Sequence, residues 1–310
     1  RTMLQLARNP YMLFMMTEVF AENEGELPPN RGKLFDLFTD YLLQEREGLS
    51  QAESDALQGK LAEYAYTMQI QGLGTITGKD IALQYLGDEG LYQAVSANLL
   101  EDRGDVRFTH QLLQEYFAAR RLDIERQKGL SAHELWSADD WWISNEWNET
   151  AILLTGLYND DASEIINWLA DANPELTARC IHESGANAPD ATLLKLRDKW
   201  IPRLTDLQSD PEPQARASVG RALGLVTLSN GEMLDNRKGV GIIDGDIKLP
   251  DIDWVMIPDD GEWTYQEATH KGLPAFEMSR YPITSSQFQT FADAPDGLNS
   301  SQQDWFEGLH

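Results

Sequence analysis

Residues 99–126 read LLEDRGDVRFTHQLLQEYFAARRLDIER, and their reading decides the fold of the first half of the chain. Leu99 to Phe108 forms two short runs around Asp102-Arg103-Gly104-Asp105, the composition of a tight turn, with Val106-Arg107-Phe108 as the return strand of a hairpin. Thr109 then stands where a cap is expected, ahead of a long helix through Arg126. Working back from the hairpin, Gly90 to Leu100 reads as one helix and Thr77-Gly78-Lys79-Asp80 as the start of a shorter one. Ser50-Gln51-Ala52-Glu53 has the spacing of a capping box opening a helix that ends near Gln71, before Gly72-Leu73-Gly74. Helix, short helix, helix, small β wing and helix is the order of a winged helix, placed here at residues 49–128.

Residues 1–48 read as a separate helical domain. Helical periodicity from Met3 to Glu22 is interrupted at Asn9-Pro10. Proline removes a backbone donor and disfavours helix at the residue before it, so one helix should end near Arg8 and another begin at Pro10. Leu27-Pro28-Pro29-Asn30 is a loop. Arg31 to Glu47 is an amphipathic helix with Leu34, Phe35, Phe38 and Leu42 on one face.

Downstream, residues 129–240 read as serial short helices: Glu149–Tyr158, Ser163–Ala172, Pro174–Glu183, Ala191–Leu207 and Gln214–Leu228. Loops of a few residues join them, which suggests a HEAT-like α-solenoid. Trp136, Trp141, Trp142 and Trp147 are expected to form an apolar seam between winged helix and solenoid. After Gly231 the texture changes to Gly, Asp and Pro. Residues 253–258 read as a strand, 275–280 as a half-buried strand, and Thr284 as the cap of a helix from Ser285 to Phe291. Residues 241–310 are therefore the start of an α+β domain. The fold class is mainly α, ending in a truncated α+β segment.

Of 310 residues, 25 are Lys or Arg and 51 are Asp or Glu, a formal charge of −26. Residues 181–240 are neutral, between acidic blocks on either side. A nucleic-acid binder needs a basic footprint. On the winged-helix surface Arg103, Arg107, Arg120 and Arg121 are diluted by Glu101, Asp102 and Asp105, so no nucleic-acid partner is expected. Anionic membranes are disfavoured by the same charge, and no apolar run reaches the ~18 residues of a membrane span. One cysteine, Cys180, excludes an intrachain disulfide framework and a Cys-rich zinc site. With an acidic pI, these features point to a reducing cytoplasm. The chain opens at Arg1 on what reads as the middle of a helix and stops at Gly308-Leu309-His310, so both ends are expected to be cuts in a longer polypeptide.

Three sets of segments resemble known pieces. LARNPYMLFMM (6–16), LPPNRGKLFDLFTDYLLQ (27–44) and RFTHQLLQEYFAARRL (107–122) resemble the C-terminal arm of a bacterial NACHT-type STAND nucleotide switch, a small helical domain followed by a winged helix. WNETAILLTGL (147–157) and LTARCIHESG (176–185) resemble the helical repeats that follow this arm in bacterial members. RALGLV (221–226), LPDIDWVMIPDDGEWTY (249–265), LPAFEMSRYPITSSQFQTFADA (273–294) and DWFEGL (304–309) resemble the start of a formylglycine-generating-enzyme-like domain, related to C-type-lectin display folds. No GxxxxGK[ST] phosphate loop occurs in the sequence, so the resemblance implies a nucleotide-hydrolysing core upstream.

The resemblance implies site residues. Asn9-Pro10 matches the family's adenine-contacting proline motif; the plainer alternative is a helix-breaking loop. His110 matches the winged-helix histidine that senses the β-phosphate of ADP. A helix N-terminus already favours an anion, and imidazole adds a donor; the plainer alternative is a histidine packed on the wing. Gln114-Glu115-Tyr116-Phe117 read as packing. His133, His182, His270 and His310 have no mutual ligand spacing, so no metal is expected.

The implied cofactor is ATP or ADP with Mg in the full-length protein, with none expected for this chain alone. The implied partners are the upstream NTPase core, a protein or peptide ligand on the C-terminal domain, and further copies on activation. The function expected is the regulatory and sensor portion of a signalling or defence NTPase, and no catalytic residue is assigned. The alternative is a formylglycine-generating or related oxidase-type domain fused to such a regulator. Cys180 lies in the helical region and cannot serve that chemistry.

Overall fold

The computed structural model describes residues 7–243, 245, 247–259, 261–294 and 297–298. The expected helix ahead of Arg8 and the aromatic pair Trp305 and Phe306 lie outside the described residues. The chain divides into two compact units between Val226 and Thr227. Among the described residues the first is mainly helical and the second holds short strands with one helix.

In the first unit, Asn9 Oδ1 accepts from the amides of Tyr11 and Met12, and α1 (Pro10–Glu22) begins at once. Proline sits at the one helical position where a missing N–H costs nothing. α2 (Arg31–Asp40) is capped by Asn30 and buries Leu34, Phe35 and Phe38. It runs on into a wider π-helical turn, Tyr41–Arg46. Just ahead of that turn, Thr39 Oγ1 donates to the carbonyls of Phe35 and Asp36 and competes for the helix ladder.

α3 (Gln51–Ile70) opens on the expected capping box, with Ser50 and Glu53 bonded reciprocally. β1 (Ile76–Gly78) and α4 (Lys79–Ser96) follow. The two short helices read from sequence meet in α4 at a bend on Gly87, whose φ of +69° suits glycine. β2 (Leu100–Asp102) and β3 (Asp105–Phe108) form the expected hairpin. β1 pairs antiparallel on the far side of β3, giving the order β1-β3-β2. Buried Thr77 of β1 shares a hydrogen bond with Tyr64 of α3.

α5 (Gln111–Gln127) is capped by His110, where the sequence reading expected Thr109. Thr109 Oγ1 instead donates to the carbonyl of Asn98 and ties the helix start back to the hairpin. α5 buries Leu113, Tyr116, Phe117, Ala118, Ala119 and Leu122 and packs on α3, α2 and α6 (Trp147–Leu157).

Beyond α6 come α7 (Ser163–Leu169), α8 (Pro174–Glu183), α9 (Asp190–Arg203) and α10 (Pro213–Leu225). α6 packs on α8 and α8 on α10, so alternate helices stack. The tryptophans are packing residues. Trp147 meets Tyr66 of α3, and Trp136 meets Trp168 while donating to Asn148. Buried Asp210 takes a two-pronged bond from Arg203, whose guanidinium lies over Trp141.

α2 enters this stack at two glycines. A Cβ on Gly32 would lie 2.7 Å from the Gly156 carbonyl carbon and 2.8 Å from the Leu157 nitrogen, both backbone atoms that cannot swing aside. Gly32→Ala should therefore cost roughly 1–3 kcal/mol by overpacking. Gly59→Ala, on the exposed face of α3 with nothing within 4 Å of its Cβ, should add about 0.4–1 kcal/mol. Urea midpoints measure both, and a Gly32→Ala protein as stable as the parent would contradict the close approach.

Among the described residues the second unit has three antiparallel pairs: β4 (Ile242–Ile243) with β5 (Leu249–Pro250), β6 (Trp254–Ile257) with β9 (Phe276–Ser279), and β7 (Trp263–Tyr265) with β8 (Ala268–His270). α11 (Ser285–Ala292) carries a capping box between Thr284 and Gln287. Buried Gln287 donates to the carbonyls of Gly239, Gly241 and Asp251, fastening α11 to the chain before it. Residues 227–240, read from sequence as the end of the solenoid, belong to this unit: Thr284 Oγ1 bonds the Val240 carbonyl.

Large apolar side chains of the second unit remain in solvent, among them Trp254 at 55% and Met256 at 59% exposure. Strands with so little buried area open easily. Hydrogen exchange should thus protect the amides of β6 and β9 much less than those of α5, and equal protection would overturn this ranking.

Candidate functional site

The N-termini of α1 and α5 come together, although the sequence places them a hundred residues apart. The ring of Tyr11, one residue inside α1, lies flat on the imidazole of His110, the cap of α5. Their centroids are 4.4 Å apart and the planes differ by 3°. Asn9-Pro10 and His110 are thereby brought to one place through Tyr11.

Each residue has a definite local role. Asn9 spends its side-chain oxygen on capping α1. The Pro10 ring is exposed, presenting an apolar face beside the capped turn. His110 Nδ1 accepts the Leu112 amide at 3.1 Å. An acceptor at Nδ1 carries no proton, so the neutral ring holds its hydrogen on Nε2. The α5 dipole adds positive potential at the same end. Partial burial pushes the His110 pKa down, and burial holds the Tyr11 hydroxyl up at about 12, with neighbouring Thr109 pulling the other way. The result is a neutral donor at the start of a 17-residue helix, next to an exposed proline face. That arrangement can receive an anion and, beside it, a flat apolar group.

Tyr11 was not legible as a site residue, because nothing local marks it beyond following Pro10. Glu115, read as packing, is buried, and desolvation raises its carboxyl to about 7. Buried Cys180 is pushed up to about 12 by desolvation, which keeps the thiol protonated and unreactive. Among the described residues no group of His, Cys, Asp and Glu is arranged to hold a metal ion. The wing arginines are engaged within the chain: Arg103 and Arg107 with Glu101, and Arg121 with Glu63 and Glu125. Among the described residues no helix is long and apolar enough to cross a membrane.

No protein-family model matches this chain, and no curated protein matches it significantly.

The imidazole gives a direct check on the site. Its folded pKa is depressed below the ~6.5 of an unstructured histidine. The unfolded chain therefore takes up the proton first as pH falls. Its contribution to stability is complete above that value, declines as pH drops through it, and levels off below the folded pKa. An NMR titration of His110 should show a midpoint under ~6.5; a midpoint at or above it would remove the buried, neutral ring.

Proposed function

We propose that this chain is the regulatory arm of a NACHT-type STAND nucleotide switch, closing over a nucleotide held by an NTPase core of the same polypeptide. The observation that carries the reading is the Tyr11–His110 stack, which unites the Asn9-Pro10 turn with His110. The residues fit the group. The Nε2–H of a neutral His110, on a helix N-terminus, suits the β-phosphate of ADP, and the exposed Pro10 ring suits an adenine face. Asn9 holds the turn that presents Pro10. Mg-ATP would bind chiefly through the core's phosphate loop, a motif absent from this sequence.

On this reading residues 49–128 are a winged helix, supported by the helix–strand–bent helix–hairpin order and the β1-β3-β2 sheet. Residues 129–226 are HEAT-like repeats, supported by the stacking of alternate helices. The second unit is the start of a formylglycine-generating-enzyme-like domain used for recognition of a protein or peptide. Ligand binding there would shift the switch from an ADP-bound resting state, provided the ligand contacts the two states differently. Such a switch works in the cytoplasm.

The test is His110→Ala in the polypeptide that carries the phosphate loop. A hydrogen bond to a charged group is worth about 1.5–3 kcal/mol, so ADP release should speed up by about tenfold or more. An unchanged ADP off-rate and unchanged quiescence would reduce His110 to a helix cap.

A further inference from the structure

A second feature of the first unit does not depend on the nucleotide reading. A cleft of about 320 Å³ opens between the end of α3, the turn at residues 72–75 and the first turns of α5, with Glu146 at its edge. Its size is that of a small-molecule site. The balance of donors and acceptors around it is uneven. The Gln69 amide nitrogen is spent on the Glu146 carbonyl and on Thr150. One N–H of Gln111 Nε2 goes to Glu115 Oε1 at 2.8 Å. Gln114 Nε2 donates to the Gly74 carbonyl at 3.0 Å.

Gln114 is 94% buried, and its Oε1 has no partner. Flipping the amide does not help, because the oxygen would then face the Gly74 carbonyl. A buried acceptor left without a donor costs free energy, which a ligand can recover. Glu115 adds a buried carboxyl, whose second oxygen takes no hydrogen bond among the described residues. Glu146 adds an exposed carboxylate at the rim. The stranded Gln114 oxygen and the two carboxyl groups give the cleft an excess of negative charge and a buried acceptor, which a ligand with N–H groups and positive charge complements.

We propose that this cleft binds a primary alkylammonium group, with Gln114 Oε1 and the Glu115 carboxylate accepting its N–H bonds and Glu146 attracting its charge. Arg31 of α2, the cation facing Glu115, pairs with Glu149 of α6 through Nη1, its Nε and Nη2 have no partner among the described residues, and its charge offsets part of that of a Glu115 carboxylate. The other groups facing Glu115 are Glu149, which disfavours its ionisation, and Gln111 on its own helix. An unliganded Glu115 carboxyl is half-protonated near neutrality, and an arriving cation favours the ionised form. Binding should therefore release a proton and strengthen as pH rises from 6 to 8.

The test is calorimetric titration of the whole chain with butylammonium, tetramethylammonium and Nα-acetyl-lysine methylamide. Butylammonium should bind with Kd of about 1 mM or tighter, while tetramethylammonium, equally charged but without N–H, should bind at least about tenfold more weakly. Tighter binding of the lysine amide than of butylammonium assigns the group to a partner's lysine side chain, and the reverse order to a free amine. Gln114→Met and Glu115→Gln should each weaken butylammonium by about tenfold, and Glu115→Gln should also abolish its pH dependence. Circular dichroism establishes that each variant is folded. If butylammonium does not bind, or tetramethylammonium binds as well, or a folded variant of either residue binds like the parent, the proposal is wrong.

Discussion

The burial of α5 organises the first unit. Tyr116, Phe117, Leu113 and Leu122 are fully enclosed on this helix, each worth about 1.5–3 kcal/mol in transfer terms. Alanines 118 and 119 let the neighbours come close. Two polar groups on the same helix find partners as they pack: the Tyr116 hydroxyl donates to Asp36 at 2.7 Å, and Arg120 donates to Gln58. With α5 fixed against α2, α3 and α6, both candidate sites are fixed as well. His110 is its cap, and Gln114 and Glu115 lie one turn further in. The helix terminus that the nucleotide reading needs and the orphan acceptor that the cleft proposal needs are thus held by one packing event.

Signals confined to a few residues were legible in the sequence. The Ser50–Glu53 capping box, the Asp102–Asp105 turn, the proline start of α1 and the Thr284 cap each act through neighbours in the chain, and each forms where it was read. What depended on distant partners was not legible. β1 has three residues, too few for an alternating pattern, and it exists because β3 offers it an edge and Tyr64 holds Thr77. Thr109 has the chemistry of a cap, yet the Asn98 carbonyl claims its hydroxyl and His110 caps instead. The site divides in the same way. Asn9, Pro10 and His110 were singled out by resemblance, whereas the Tyr11 stack that joins them and the stranded Gln114 oxygen are products of tertiary packing alone.

Charge is handled differently in the two units. In the first, cations that would otherwise form a basic face on the wing are matched to carboxylates of the same face: Lys79 to Asp102, Arg107 to Glu101. Such exposed pairs add little stability, but they leave the acidic excess uncompensated elsewhere, a field that draws small cations. In the second unit, Asp253 gathers Lys238 and Arg280, whose contacts hold its carboxyl below the usual range. Large apolar groups stay in solvent beside it.

The proposed nucleotide site places the Asn9-Pro10 turn and His110, joined by Tyr11, against one ligand. Photolabelling with an azido-adenine analogue of ADP, on the polypeptide that carries the phosphate loop, tests it most directly. Adducts are expected on the peptide around Asn9, Pro10 and Tyr11, suppressed by excess ADP and diminished when Tyr11→Ala removes the stack. Competable adducts confined to other parts of the protein, with this turn unlabelled, would contradict it.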